Sequence, residues 1–428
     1  MKKLLIILVI VTLFFQSCDK EFLDPSRPDV DEVYGNRDGV IGVANGLQSL
    51  WSIGRQSPVY ASITANGFST QELRILNVGN VDEAELSLGA STITAKNGVL
   101  RNLWTQSLVI KSEAQKVLDN VNVITNQNER ENVIVHASIF KALALGTLIQ
   151  YYEQVPIQTA KDAAFNSRTQ VLSEVINTLL ATQPYLNTAN GFPALVNSIK
   201  YKNTVNALLA RYYLMSNDYD KALIYANLVD LASKSTFLYD VVRFNPIADS
   251  SIIGNNNYQP SNANFGLPVA LAPAALDGRK AFYTAIISGS LRAVGFFDNR
   301  QKLIPIYLPG EVTLIKAEAH ARKNMLTDAK TELDKVLTKT AALDAFGIGA
   351  NLPPYSGSLV SPTAKDDILL EIYRNRCIEL FMSNLKLEDS RRFNRPGLGA
   401  NEERNRNYYP YPDSERFNNT NTPADPAN

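Results

Sequence analysis

VNALLARYYLMSNDYDKALIYANLVDL, residues 205–231, is the stretch whose spacing decides how the rest of the chain is read. Leu209, Ala210 and Tyr213 fall on one face of a helix with 3.6 residues per turn. The polar run Asn217-Asp218-Tyr219-Asp220 then breaks the pattern, and Asp218 is a natural N-cap for a second helix. Small alanines let two such helices approach closely.

Small and aromatic residues at these offsets around a polar turn are the pattern of a tetratricopeptide (TPR) helix pair. A weaker copy occupies 311–337, with Ala317, Ala319 and Ala321 on one helix and Ala329, Leu333 and Val336 on the next. A more degenerate one begins near 133–152. Asn102 to Ile124 also has helical spacing, and Leu47, Leu50 and Trp51 begin the packed part. Irregular, separated repeats predict a mainly α, TPR-derived scaffold rather than a free-standing superhelix. Between the two better copies, 242–305 changes character: Asn255-Asn256-Asn257-Tyr258-Gln259-Pro260 and the Asn, Gly and Pro after it interrupt any helix. A long stretch of little periodicity in a packed chain is expected to carry function. The tail from Tyr408 to Asn428, heavy in Pro and Asn, is expected to be extended.

The N-terminus has a different layout. Met1-Lys2-Lys3 precedes twelve residues, Leu4 to Phe15, with one polar member, and Gln16-Ser17-Cys18 follows. As a helix this run rises about 18 Å, short of a hydrocarbon core of roughly 30 Å. Residues 1–17 therefore read as a signal peptide. Cys18, directly after the apolar run and a small residue, reads as a lipidation site. Residues 18–38, rich in Asp and Pro, are the expected tether and 39–428 the folded domain, held to a membrane by the lipid anchor only.

Removal of 17 residues leaves 411 with 40 basic and 42 acidic groups, a balance that favours neither nucleic acid nor an anionic membrane face as partner. Cys377 would then be the single thiol. It lies on the apolar face Leu369, Ile372, Tyr373, Cys377, Leu380, Phe381 and is expected to be buried.

Catalytic signatures are sparse. HExxH, GxSxG, the Walker loop and CxxC are all absent. His136 and His320, the two histidines, sit in apolar helical patterns, so no metal site or cofactor is expected, with an oxygen-ligated calcium site left open. Two carboxylate pairs, Glu311 with Glu318 and Asp82 with Glu85, could share helical faces, and a glycosidase needs only two such groups. Ion pairing is the commoner use, as expected for Glu388 with Arg392 at i and i+4. The expectation is a protein that is not an enzyme.

Several segments, in order, resemble the SusD/RagB family of nutrient-binding outer-membrane lipoproteins. CDKEFLD from Cys18 looks like that family's mature start. SIFKALALGTLIQYYEQVPI from Ser138 is similar to its helix ending in Val-Pro, with Lys141 where Arg is usual. ARYYLMSNDYDKALIYA resembles its TPR pair, and GEVTLIKAEAHARKN from Gly310 resembles its Glu-x-x-Leu-x-x-Ala-Glu-Ala helix. ILLEIYRNRCIELFMSNLKLEDSRRFNRP resembles its late helix, with Ser383-Asn384 and Lys386-Leu387 as departures, and NYYPYPDSERFNNT its close.

The resemblance implies a SusD-like fold at the cell surface that captures an oligosaccharide or other large nutrient and delivers it to a SusC-like TonB-dependent outer-membrane transporter. It places binding in loops outside the scaffold, here about Asn66 to Asn80 and Val242 to Arg300. Aromatic rings offer flat apolar faces and amides or guanidinium groups directed hydrogen bonds. Tyr258, Phe265, Tyr283, Phe296 and Phe297 are the aromatic candidates, with Asn66, Asn256 and Arg292 as polar partners. Asp298-Asn299-Arg300 is expected to serve ion pairing, and Trp51 and Trp104 to lie in the core. A TPR-type envelope scaffold and a carboxylate-based hydrolase are the alternatives.

Overall fold

The computed structural model describes residues 29–195, 198–355, 364–399 and 401–427. Cys18, the 1–17 segment and the tether up to 28 lie outside them. Helices follow one another as α1 (Val30–Tyr34), α2 (Arg37–Ser52), α3 (Pro58–Ser69), α4 (Val81–Leu88), α5 (Gly98–Asn120), α6 (Gln127–Tyr151) and α7 (Arg168–Leu180). Then come α8 (Tyr201–Met215), α9 (Tyr219–Asn227), α10 (Gly278–Tyr283), α11 (Pro309–Arg322), α12 (Leu326–Thr338), α13 (Lys365–Glu379), α14 (Lys386–Arg392) and α15 (Asp413–Asn418). The chain is already helical from Val30, inside the span expected to be a tether, and α2 follows with Asn36 as its cap, accepting from the Gly39 N–H at 2.8 Å.

The stretch that opened the sequence reading forms a helical hairpin, α8–α9. Asp218 caps α9 by accepting from the Lys221 N–H at 3.1 Å. Asn217 takes a left-handed φ of 62°, which Asn tolerates, and the Asp218 N–H returns to the Tyr213 carbonyl at 2.9 Å. The α11–α12 hairpin repeats this turn: Asn324 has φ 64° and the Met325 N–H reaches the His320 carbonyl at 2.9 Å. Met325 stands where Asp218 stands and supplies no side-chain cap. Two turns with one geometry explain why the second copy was legible but weaker.

Helix α6 is the buried axis on which α2, α5, α7 and α8 pack. It is long and apolar enough to cross a membrane, yet 94% of its most apolar window is buried inside the protein. That is why the helix is apolar on all sides. Gly146 lets the Tyr212 ring of α8 lie against it, since a Cβ there would stand 2.2 Å from the Tyr212 hydroxyl.

Buried ion pairs tie the scaffold together. Arg211 forks onto Glu311 at 2.6 and 2.7 Å, joining α8 to α11. Arg392 forks onto Glu318 at 2.8 Å through each nitrogen, and Arg376 meets Asp389 at 2.8 Å. Glu388 turns to Arg168 at 2.5 Å and Arg391 at 2.7 Å instead of the expected Arg392, because Arg392 is drawn to Glu318 and Asp389.

Among the described residues, eight short strands pair antiparallel in twos. Leu73–Ile75 (β1) pairs with Tyr258–Pro260 (β5), Gln154–Pro156 (β2) with Phe165–Ser167 (β3), Thr236–Phe237 (β4) with Ile304–Pro305 (β8), and Thr284–Ile287 (β6) with Ser290–Ala293 (β7). The β1–β5 ladder joins the two loop stretches singled out by sequence. The tail is not simply extended. It contains α15, and Tyr409 and Tyr411 are buried among Trp104, Tyr152 and Phe165, because packing there removes the large apolar faces of both rings from water.

Candidate functional site

Five of the eight predicted ligand residues lie in the core. Tyr258, Phe265 and Tyr283 have no solvent exposure and Phe297 has 2%. Phe265 packs on Phe381 at 4.6 Å and on Tyr283 at 6.0 Å, while the Tyr283 hydroxyl donates to the Glu379 carbonyl at 2.6 Å. Phe297 meets Phe296 edge-on, and Tyr258 bonds Thr64 at 3.0 Å and meets Phe68 edge-on. These rings hold the irregular segments onto the scaffold, which corrects their assignment as ligand contacts. Asn66 is corrected for the same reason: buried, it donates to Glu72 at 2.8 Å and accepts from the Leu387 N–H at 2.8 Å.

Asn256, Arg292 and Phe296 remain half-buried. Arg292 donates to the Asn256 side-chain oxygen, which also accepts from Gln259 at 2.7 Å, so sequence named two partners that the fold brings together. Asn256 can sit there because Asn tolerates its left-handed φ of 49°.

The segment from Asp249 to Asn257 separates two open clefts. The first, about 460 Å³, lies between α3, the start of α4 and the start of α5. On it, Arg55 donates to Asn80 at 3.2 Å and to Glu83 at 2.5 Å. From below, the buried Tyr60 hydroxyl donates to Glu83 at 2.8 Å and contacts Ser251 at 3.1 Å. Asp82 accepts from the Gly98 N–H at 2.7 Å, and Gln56 and Asn102 complete the lining. Asn80 also donates to Asn257 at 3.0 Å, locking the cleft to the separating segment.

The second cleft, about 390 Å³, is lined by Val241, Phe244, Ile253 and residues 298–301. The Arg300 guanidinium stands 5.5 Å from the centre of the Phe244 ring and pairs with Asp249 at 2.6 Å. Asp298 pairs with Lys302 at 2.6 Å. Asp298 and Arg300 thus form ion pairs with neighbours instead of with each other. Val241 is 71% exposed, so this cleft offers apolar surface beside charge. Volumes of this order suit a ligand of several rings or residues, and both clefts carry amides and charged groups that can give directed hydrogen bonds.

Arg55, Asn80, Phe244 and Arg300 were not among the predicted contacts. Arg300 could have been found, since it ends the Asp298-Asn299-Arg300 motif. Arg55 sits in a short loop that no spacing marks.

Glu311 and Glu318 are each bound by an arginine, and Asp82 and Glu85 accept from Gly98 and Asn97, so neither predicted pair faces its partner across a cleft. Among the described residues, no three His, Cys, Asp or Glu side chains gather as a metal site. Cys377 is free and buried, and burial pushes its thiol up to about 12.

No protein-family model matches the chain, and no curated protein matches it. Solved structures do. A SusD superfamily protein from Bacteroides thetaiotaomicron superposes with a TM-score of 0.71 at 15% identity, covering 91% of this chain and 99% of that one. A SusD homolog from the same species gives 0.71 at 9% identity over 93% and 99%. A SusD-like carbohydrate binding protein from Bacteroides vulgatus gives 0.61 at 18% identity over 83% of each chain. The fold is the mainly α, SusD-like fold anticipated from the order of the sequence motifs.

Proposed function

We propose that this chain is a non-enzymatic, lipid-anchored protein of the outer-membrane surface that captures a glycan or other large nutrient and delivers it to a SusC-like TonB-dependent transporter. The observation that carries the reading is the match of nearly the whole chain to SusD-like structures, one of them described as carbohydrate binding. The signal-like N-terminus ending in Cys18 supports the anchor. The clefts on either side of Asp249–Asn257 are the proposed ligand surface, with Arg55, Asn80 and Asp82 on one side and Phe244 and Arg300 on the other.

The test is to recover the native protein from gently solubilised outer membranes and identify what comes with it. A stoichiometric TonB-dependent barrel supports delivery. Unrelated envelope proteins, with no barrel, would move the reading to a helical-repeat scaffold. Calorimetric titration with oligosaccharide mixtures then tests capture, with Arg300→Ala as the control for the second cleft.

A further inference from the structure

The pentapeptide Thr-Ala-Asn-Gly-Phe occurs twice in the chain, at 64–68 and at 188–192. The fold treats the two copies oppositely. The first lies inside α3, where every residue from Pro58 to Ser69 is buried. The second lies in the irregular segment between α7 and α8, with Asn190 exposed and Gly191 at a left-handed φ of 92°.

Asn followed by Gly is the pairing most open to loss of the side-chain amide, because glycine has no side chain to keep its nitrogen away from the Asn Cγ. Ring closure makes two demands. The Asn backbone must turn out of helical geometry, and the Gly N–H must give up its proton. In α3 the backbone is fixed by its hydrogen bonds from each N–H to the carbonyl four residues earlier, and the Asn66 side chain is held by Glu72 and the Leu387 N–H. Two further Asn-Gly pairs are restrained as well: Asn45 lies inside α2, and Asn97 caps α5, accepting from the Val99 N–H at 3.1 Å and donating to the Asp82 carbonyl at 2.9 Å. Asn190 lies outside any helix and, among the described residues, no group bonds its side chain. One bond holds its neighbour, from the Gly191 N–H to Asn132 Oδ1 on α6 at 2.5 Å, and it has to open before the ring can close.

We propose that Asn190–Gly191 is a site of spontaneous deamidation, and that the identical pair at 66–67 is protected by its helix. The Gly191 nitrogen, its proton passed to hydroxide, bonds to the Asn190 Cγ; the Cγ–Nδ2 bond breaks and that nitrogen leaves as ammonia. Water then opens the cyclic imide at either carbonyl and leaves aspartate or isoaspartate, with nothing oxidised or reduced. Either product puts a negative charge on a segment that already meets Glu131 of α6 through the Thr188 hydroxyl. Isoaspartate also lengthens the backbone by one methylene between the Thr188 and Gly191 anchors. The modification therefore loosens this segment on α6, and it involves neither surface cleft.

The test is to age the purified protein at neutral pH, native and in parallel unfolded in guanidinium chloride, and then to map its peptides by mass spectrometry, with isoaspartate separated by chromatography. Dividing each site's unfolded rate by its own native rate gives the slowing that folding imposes, and removes any difference between the two peptides. Asn66, whose helix has to open first, is expected to be slowed at least about tenfold more than Asn190. Slowing factors that agree to within tenfold would overturn the proposal, as would faster native conversion at Asn66 than at Asn190.

Discussion

The helical hairpins and the irregular layer from 242 to 305 bury side chains by different rules. In α9, burial follows the period of the sequence: Ala222 and Ala226, one helical turn apart, are buried while Ile224 between them is 57% exposed, whereas α8, packed against α6, α7, α9 and α11, is buried on every side from Thr204 to Met215. In the irregular layer the largest rings are buried without any period, while aliphatic residues such as Val242 and Ile286 are 80% and 69% exposed. Regular segments acquire their buried face from backbone geometry, but a loop can turn any one side chain inward. Aromatic residues win that competition because each removes the most apolar area from water.

The largest effect that could break this contrast is Tyr283→Ala. Loss of a buried ring from a packed cluster costs about 3–5 kcal/mol, read by urea unfolding. Tyr258→Ala should behave alike. A change below about 0.5 kcal/mol would mean that these rings are surface after all.

A pH effect of similar size comes from two buried titratable groups outside both regions. Burial pushes the Glu72 carboxyl from 4.5 up to about 7, against the pull of Lys386, and burial pushes the His136 imidazole from 6.5 down to about 4. Native Glu72 holds its proton where the unfolded chain has lost it, so its contribution to stability falls as pH rises from 4.5 to 7, by about 3 kcal/mol. Native His136 refuses a proton that the unfolded chain accepts, so its contribution falls as pH drops from 6.5 to 4. The two oppose each other. Glu72→Gln should leave a chain that loses stability on acidification more steeply than wild type, in denaturant titrations at pH 4.5, 5.5 and 7. Parallel curves would show that Glu72 is ionised in the native state.

The two hairpin turns offer a smaller comparison. Asp218→Ala removes the cap of α9 and should cost about 1 kcal/mol. Met325→Asp supplies the missing cap of α12 and should add up to about 1 kcal/mol. Equal melting temperatures for Met325→Asp and wild type would show that the turns are not equivalent.

The smallest effect on stability belongs to the proposed ligand surface. Arg300→Ala breaks a solvent-exposed pair with Asp249, so unfolding should change by less than about 1 kcal/mol. Ligand affinity should fall about tenfold, equivalent to about 1.4 kcal/mol. Unchanged affinity would remove the second cleft from the proposed site.

Much of this molecule was readable before its coordinates. Asp218 announced a cap, the alanines of 311–337 a second hairpin, and the apolar face around Cys377 a buried helix. The two loop stretches were singled out separately as places for a ligand, and only the structure shows that β1 with β5 joins them. What could not be read was direction. Tyr258 and Phe244 are both aromatic residues in irregular chain, yet one is fully buried under Phe68 and the other borders an open cleft. Arg392 shows the same limit for charge: its helical neighbour Glu388 was available, but Glu318, 74 residues earlier in the chain, holds it.

The sequence by itself determined the helices, the turn chemistry and the order of motifs that marks the fold, because periodicity, capping and close packing are local or pairwise demands. Only the tertiary structure decided which loop residues face solvent and which charges meet. Those outcomes depend on what else competes for the same buried space, and that competition joins residues far apart in the chain.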